Sequence, residues 1–95
     1  MVSARLEKWI RSTYAGISAD AVLRELVGLE SQPEAFGNQS LERVQAALAF
    51  VGDGDLDRFR SAIDLFRIDW RDVLVMGGLA DEYWPVDLDR KLGEA

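Results

Sequence analysis

Apolar residues recur at three- and four-residue intervals almost from end to end of this chain, the period of amphipathic α-helices. Leu6, Trp9 and Ile10, flanked by Val2 and Tyr14, predict a first helix over about Ser3 to Tyr14, ended by Gly16. Ser18 reads as the N-cap of a second helix, Ala19 to about Leu29. Ile17 and Val22 stand where a hydrophobic staple places its partners, and Val22, Leu23 and Leu26 form the buried stripe. Glu30 to Gln39, with Pro33, Gly37 and Asn38, reads as a loop.

Asn38 or Ser40 is placed to cap a third helix whose stripe is Leu41, Val44, Leu48 and Val51. Gly52-Asp53-Gly54-Asp55 ends it and opens a fourth, about Leu56 to Arg67, on the stripe Leu56, Phe59, Ile63 and Phe66. At Asp69 the pattern favours a break or sharp bend, with Asp69 as a new N-cap, Asp72 at N3 and an Ile68–Val73 staple. The alternative, which nothing forbids sterically, is one helix running through from Leu56 to about Met76. Gly77-Gly78 closes that fifth helix, and Pro85 opens a short terminal one running to about Leu92, with Gly93 behind it. No segment has the two-residue period of a strand bounded by hairpin turns. The expected fold is all-α, a single-domain bundle of five or six short helices over residues 1–95.

Composition supports a packed core. Forty-eight per cent of the 95 residues are hydrophobic, with three Trp, four Phe and two Tyr. A chain this long buries roughly 60–65% of its unfolded surface. The chain has neither histidine nor cysteine, so packing alone must overcome chain entropy, with no disulfide or thiolate-zinc staple. The same absence removes the usual neutral-pH proton shuttle and the strongest side-chain nucleophile. The first residues lack an apolar run of signal-peptide length, and Ala46 to Val51, the longest apolar stretch, is far shorter than a bilayer span. A cytoplasmic protein is the expectation.

Net charge is −6, and its placement is uneven: residues 1–52 hold five Lys/Arg and six Asp/Glu, residues 53–95 six and eleven. Nucleic-acid binding needs a basic stripe that displaces counterions, and none is visible; neither nucleic acid nor membrane is an expected partner. A helix-turn-helix reading around Gly16 or Gly52 would have only Arg43 and Gln45 to offer a base edge.

Asp53-Gly54-Asp55-Leu56-Asp57 places carboxylates at the first, third and fifth ligand positions of a calcium loop. Arg58 then stands where that loop needs glycine, and Asp64 where it needs a bidentate Glu. The acids read instead as caps for the fourth helix, where the macrodipole favours anions. Asp64, Asp69 and Asp72 around Trp70 are the candidates for paired-carboxylate hydrolysis, but with no histidine such chemistry needs a carboxyl strongly shifted by burial. Glu7–Arg11, Asp20–Arg24 and Asp87–Lys91 stand as i,i+4 ion pairs in the favourable order. Val75-Met76-Gly77-Gly78-Leu79 resembles the Met-Gly-aromatic loop of ubiquitin-associated three-helix domains. Leu79 replaces the family's aromatic, and Pro85 interrupts the helix that should follow, so a glycine-terminated helix accounts for these five residues.

No catalytic, cofactor-binding or metal-ligating residue is assigned, and no cofactor is expected. The leads that remain are apolar residues off the main stripes. At roughly 100° per residue, Phe50, Leu65 and Val75 point away from the buried faces of their helices. Either the bundle wraps those helices on two sides and each is core, the favoured reading for any one of them, or some form an exposed patch. With Met76, Tyr83 and Trp84 they make a candidate partner-binding set, rimmed by Asp81, Glu82, Asp87 and Asp89. The expected function is non-enzymatic, a protein–protein interaction module or homodimer. The alternatives are an acidic antagonist of a basic target, of immunity or nucleic-acid-mimic type, and a carboxylate-based hydrolase.

Overall fold

Side-chain oxygens decide where four of the helices begin. Ser3 accepts from the Leu6 amide, Ser40 from Arg43, Asp55 from Asp57 and Arg58, and Asp69 from Arg71, each taking up backbone donors that the first turn leaves free. The computed structural model describes residues 1–37 and 39–93, without the side chains of Pro33 and Ala35. Asn38, the alternative cap of the third helix, lies outside the described residues. Six α-helices and no strand are found among them: α1 (Ala4–Thr13), α2 (Gly16–Gly28), α3 (Leu41–Gly52), α4 (Leu56–Ile68), α5 (Trp70–Met76) and α6 (Trp84–Leu92). The fold is all-α. No helix is long and apolar enough to cross a membrane among the described residues.

The break at Asp69 is present, its extended backbone (φ −155°) separating α4 from α5. The end of α5 is closed by glycine. Gly78 sits at φ +78°, letting the Leu79 amide reach the Leu74 carbonyl at 2.9 Å and the Gly78 amide the Val75 carbonyl at 3.1 Å. Leu74 and Leu79 are both buried, as this closing motif favours. The Ile68–Val73 staple does not form, because Ile68 is 82% exposed.

The second helix starts earlier than Ser18. Tyr14 and Ala15 take extended backbone and α2 begins at Gly16, so Gly16 opens a helix where it was expected to end one. Ala15, which has no side-chain oxygen, occupies the cap position, and Ser18 lies inside the first turn. Starting there turns Ala19, Val22 and Leu26 into the core and Ile17 outward, 88% exposed, so it staples nothing. The expected loop is also partly wound, into 3₁₀ turns at Leu29–Ser31 and Pro33–Phe36. These turns bury Phe36 against Phe66 with ring centroids 6.1 Å apart.

The core is built around α3, which packs on α1, α4, α5 and α6. The stripe read from the sequence understates its burial. Val44 to Ala49 are all buried, while Leu41 and Val51 are only half so. Ala46, Ala47 and Ala49 explain this, since small side chains let neighbours close in on every side. Gln45, 1% exposed, donates its amide to the Leu26 carbonyl at 2.9 Å, which satisfies a polar group inside this ring of helices.

The Tyr14 hydroxyl is also buried, and it donates to the Ala49 carbonyl at 2.7 Å. Burial pushes its pKa up to about 12, and the Asp53 and Asp55 carboxylates act in the same direction. An unfolded tyrosine ionises near pH ~10. Stability from Tyr14 is therefore intact below about pH 10 and falls as pH climbs toward about 12, because only the unfolded chain sheds the proton there. Denaturant midpoints across that window should drop further for the native chain than for Tyr14→Phe. Parallel curves would show that the hydroxyl is not the titrating group.

Candidate interaction surface

On α4, Asp57, Arg58, Ser61, Ala62 and Leu65 lie one and two turns apart along a single face. Phe59, Ile63 and Phe66 fill the core side and Ala62 is buried at its edge, so the remaining face looks outward between the end of α3 and the end of α5. Gly77 fixes that edge. A Cβ there would stand 2.9 Å from both the Ala47 Cα and carbonyl oxygen, so only glycine brings the end of α5 this close to the middle of α3. The space left between the three helices is a groove of about 390 Å³, lined by Val51, Asp57, Arg58, Ser61, Ala62, Leu65 and Met76. Its floor is apolar, and Met76 is 61% exposed at its rim.

The candidate residues do not form one patch. Leu65 and Met76 meet in this groove. Val75, 65% exposed, lines a separate hollow of about 320 Å³ with Gln39, Arg43, Trp70, Arg71, Leu74 and Ala80. Phe50 belongs to a seam of α1, α3 and α6. Its ring stands edge-on to Trp9 at 4.8 Å, and the Lys91 ammonium lies 5.1 Å over it. Trp84 is half-buried beneath the Arg43 guanidinium, 5.0 Å from its ring centre.

Three of the four rim acids have partners within the fold. Asp81 accepts from the Tyr83 amide at 2.9 Å, Asp87 faces Arg90 at 3.7 Å, and Asp89 accepts from Arg5 at 2.6 Å. Glu82 and Tyr83 are exposed on the turn before α6. Val51, Ser61 and Ala62 went unassigned as site residues. A small residue one turn before Leu65 on the same face is the one signal that marks them.

Other sequence leads are absorbed by structure. Asp55 accepts from the Asp57 amide at 2.9 Å and the Arg58 amide at 3.2 Å, the capping role expected of it, while Asp53 takes left-handed backbone (φ 46°) to turn the chain. Asp69 caps α5 and also holds Arg71 at 3.0 Å. The side-chain hydrogen bond from Arg71, with the Arg71 amide, keeps its carboxyl below the usual range, the reverse of what a general acid needs. Asp64 faces Arg67 at 4.0 Å. Among the described residues no three acids gather as metal ligands would.

Arg43 and Gln45 are both engaged inside the protein. Arg43 binds the Leu79 carbonyl at 2.9 Å and the Ala80 carbonyl at 3.2 Å, which pins the segment between α5 and α6. Burial lowers its pKa below the usual arginine value, with Asp81 opposing. Of the expected i,i+4 ion pairs, Glu7–Arg11 forms at 3.2 Å. Asp20 instead meets Arg11 at 3.1 Å, and Lys91 turns to the Trp9 and Phe50 rings and leaves Asp87 to Arg90.

No protein-family model matches the chain, and no curated protein or solved structure matches it.

Proposed function

We propose that this chain is a non-enzymatic protein-interaction module that receives an apolar side chain of its partner in the groove between α4 and α5. The observation that carries this reading is the groove itself, where Ala62, Leu65 and Val51 make an open apolar floor with an exposed methionine at the edge. A pocket next to unbranched, polarizable Met76 suits a protein anchor, since Met adapts its shape to what it meets. Val75 faces the separate hollow beside Arg43 and lies outside this contact. Phe50, Trp84, Asp81, Asp87 and Asp89 serve the fold, and Tyr83 and Glu82 lie on another turn. A cytoplasmic setting goes with this reading, because a chain without cysteine draws nothing from an oxidising compartment.

The test is site-specific photo-cross-linking in extract of the native host. A photoreactive residue at Ser61 should give one discrete adduct, whereas the same residue at exposed Arg24 on α2 should not. Met76→Ser should reduce the Ser61 adduct about tenfold, the loss expected when an interface anchor is truncated. An adduct of twice the chain's own mass would identify the partner as a second copy, which light scattering would then show directly. Equal labelling from both positions, or none from Ser61, would remove the groove as the docking surface.

A further inference from the structure

The acids at one mouth of this groove say what kind of segment fills it. Asp57 lines the groove itself, and Asp53 and Asp55 stand in the turn that leads into it from Val51. All three are exposed. Asp72, outside the lining, lies one turn before Met76 on the same face of α5, toward the opposite end of α4 from these three. Among the described residues, none of these four carboxylates has a lysine, arginine or amino terminus within 4.0 Å, although eight ion pairs form elsewhere. Arg58 is the only basic side chain on the groove's lining.

One of the turn carboxylates, Asp55, is also placed in advance. Asp53 and Gly54 hold positive φ angles of 46° and 94°, and two backbone amides hold the Asp55 carboxylate. Charge ordered before binding attracts a cation without a further ordering cost.

We infer that the groove's occupant is a cationic amphipathic segment of another protein, with an apolar anchor on the floor and flanking Lys or Arg facing Asp53, Asp55, Asp57 and Asp72. The inference rests on the docking role proposed for the groove. A second copy of this chain fits poorly. Each copy carries a net charge of −6, and in a two-fold contact the face a second copy presents has the same acids and a single lining arginine.

Two synthetic amphipathic helical peptides test this, identical on the apolar face and carrying either Lys/Arg or Glu on the polar face. Fluorescence anisotropy should show the cationic peptide binding, with its Kd rising about tenfold between low and physiological salt as screening sets in. Asp53→Asn with Asp57→Asn should weaken that binding and flatten its salt response. Asn tolerates the left-handed backbone at position 53, and Asp55 is kept because it caps α4. Met76→Ser should weaken binding without changing the salt slope. Thermal melts of each variant confirm the fold.

Equal binding of the Glu peptide, or cationic binding untouched by both variants, overturns the inference. So does binding of neither peptide. The docking role of the groove is judged apart from these outcomes, by the Ser61 cross-link.

Discussion

Gly52→Ala is expected to destabilise the protein by about 3 kcal/mol, from one added methyl group. Gly52 is the last residue of α3 and is buried where α1 and α4 converge. A Cβ at this position would fall inside the Tyr14 hydroxyl, 2.8 Å from the Phe59 Cβ and 3.1 Å from its Cα. Tyr14 could swing aside only by giving up its bond to the Ala49 carbonyl and its edge-on contact with Phe59, whose ring centroid is 6.4 Å away. The Phe59 backbone cannot yield so easily, because the start of α4 is tied to Gly52 itself, the Asp55 amide donating to the Gly52 carbonyl at 2.9 Å.

Overpacking of this kind costs about 1–3 kcal/mol and the lost hydrogen bond about 1 more. The helix preference for Ala over Gly returns less than about 1 at a helix end. The net is a large part of the roughly 5–15 kcal/mol that holds a domain of this kind together. Thermal unfolding should fall by roughly 15 °C. Tyr14→Phe added to Gly52→Ala should recover part of the loss, since it removes the nearest of the clashing atoms. Strict additivity of the two substitutions would show that the hydroxyl is not what glycine accommodates.

This junction marks where the sequence was readable and where it was not. Gly52 to Asp55 announced a helix stop and start, and the caps at Ser40, Asp55 and Asp69 and the closures at Gly77-Gly78 and Gly93 follow from local chemistry alone. Such signals are legible because a cap is a contact between residues two to four positions apart. The start of α2 was not legible, because a side-chain oxygen at Ser18 looks like a cap wherever it stands. What overrides it is the direction the chain must take to bring Ala19, Val22 and Leu26 onto the core.

The all-round burial of α3 was hidden for a related reason. Alanine carries a weak periodic signal, and a helix touched by four others needs small residues more than a stripe. The candidate surface suffered most. Phe50, Val75 and Leu65 do point off their helices' main faces, but what lies over each face is a tertiary fact. α6 covers Phe50, the Arg43 side chain borders the hollow at Val75, and the Leu65 face stays open. The ion pairs follow the same logic. Asp87–Lys91 satisfies local spacing, yet Lys91 has two aromatic rings within 6 Å once α6 docks on α1 and α3.

The docking of α6 is itself open to test through Arg5. From α1 this side chain binds Glu42 of α3 through two hydrogen bonds, at 2.9 and 2.8 Å. It also binds Asp89 at 2.6 Å and the Gly93 carbonyl at 2.7 Å, both at the far end of α6. Leu88 is the only residue within α6 that is fully buried. Arg5→Met keeps the apolar stem and removes all four bonds, leaving Glu42 with the Ser3 hydroxyl.

The expected loss is about 2 kcal/mol, below the 3–5 of a fully buried pair because water still reaches Glu42 and Asp89. It should be local. Amide hydrogen exchange should accelerate in α6 before it changes in α3, since helices held by few buried side chains open first. The loss should also depend on pH. The Arg5 hydrogen bonds hold the Glu42 carboxyl below its usual value of 4.5, and Ser3 adds to the effect. A depressed carboxylate contributes stability above its unfolded pKa and loses it as pH falls through the folded one. The native chain and Arg5→Met should therefore differ most near neutral pH and converge in acid. A gap that persists well below the folded pKa of Glu42 would mean that Arg5 acts through the Gly93 carbonyl rather than through the carboxylates. Unchanged exchange in α6 would mean that α6 is held by its apolar contacts alone. In that case the cover over Trp9 and Phe50 would not depend on charge.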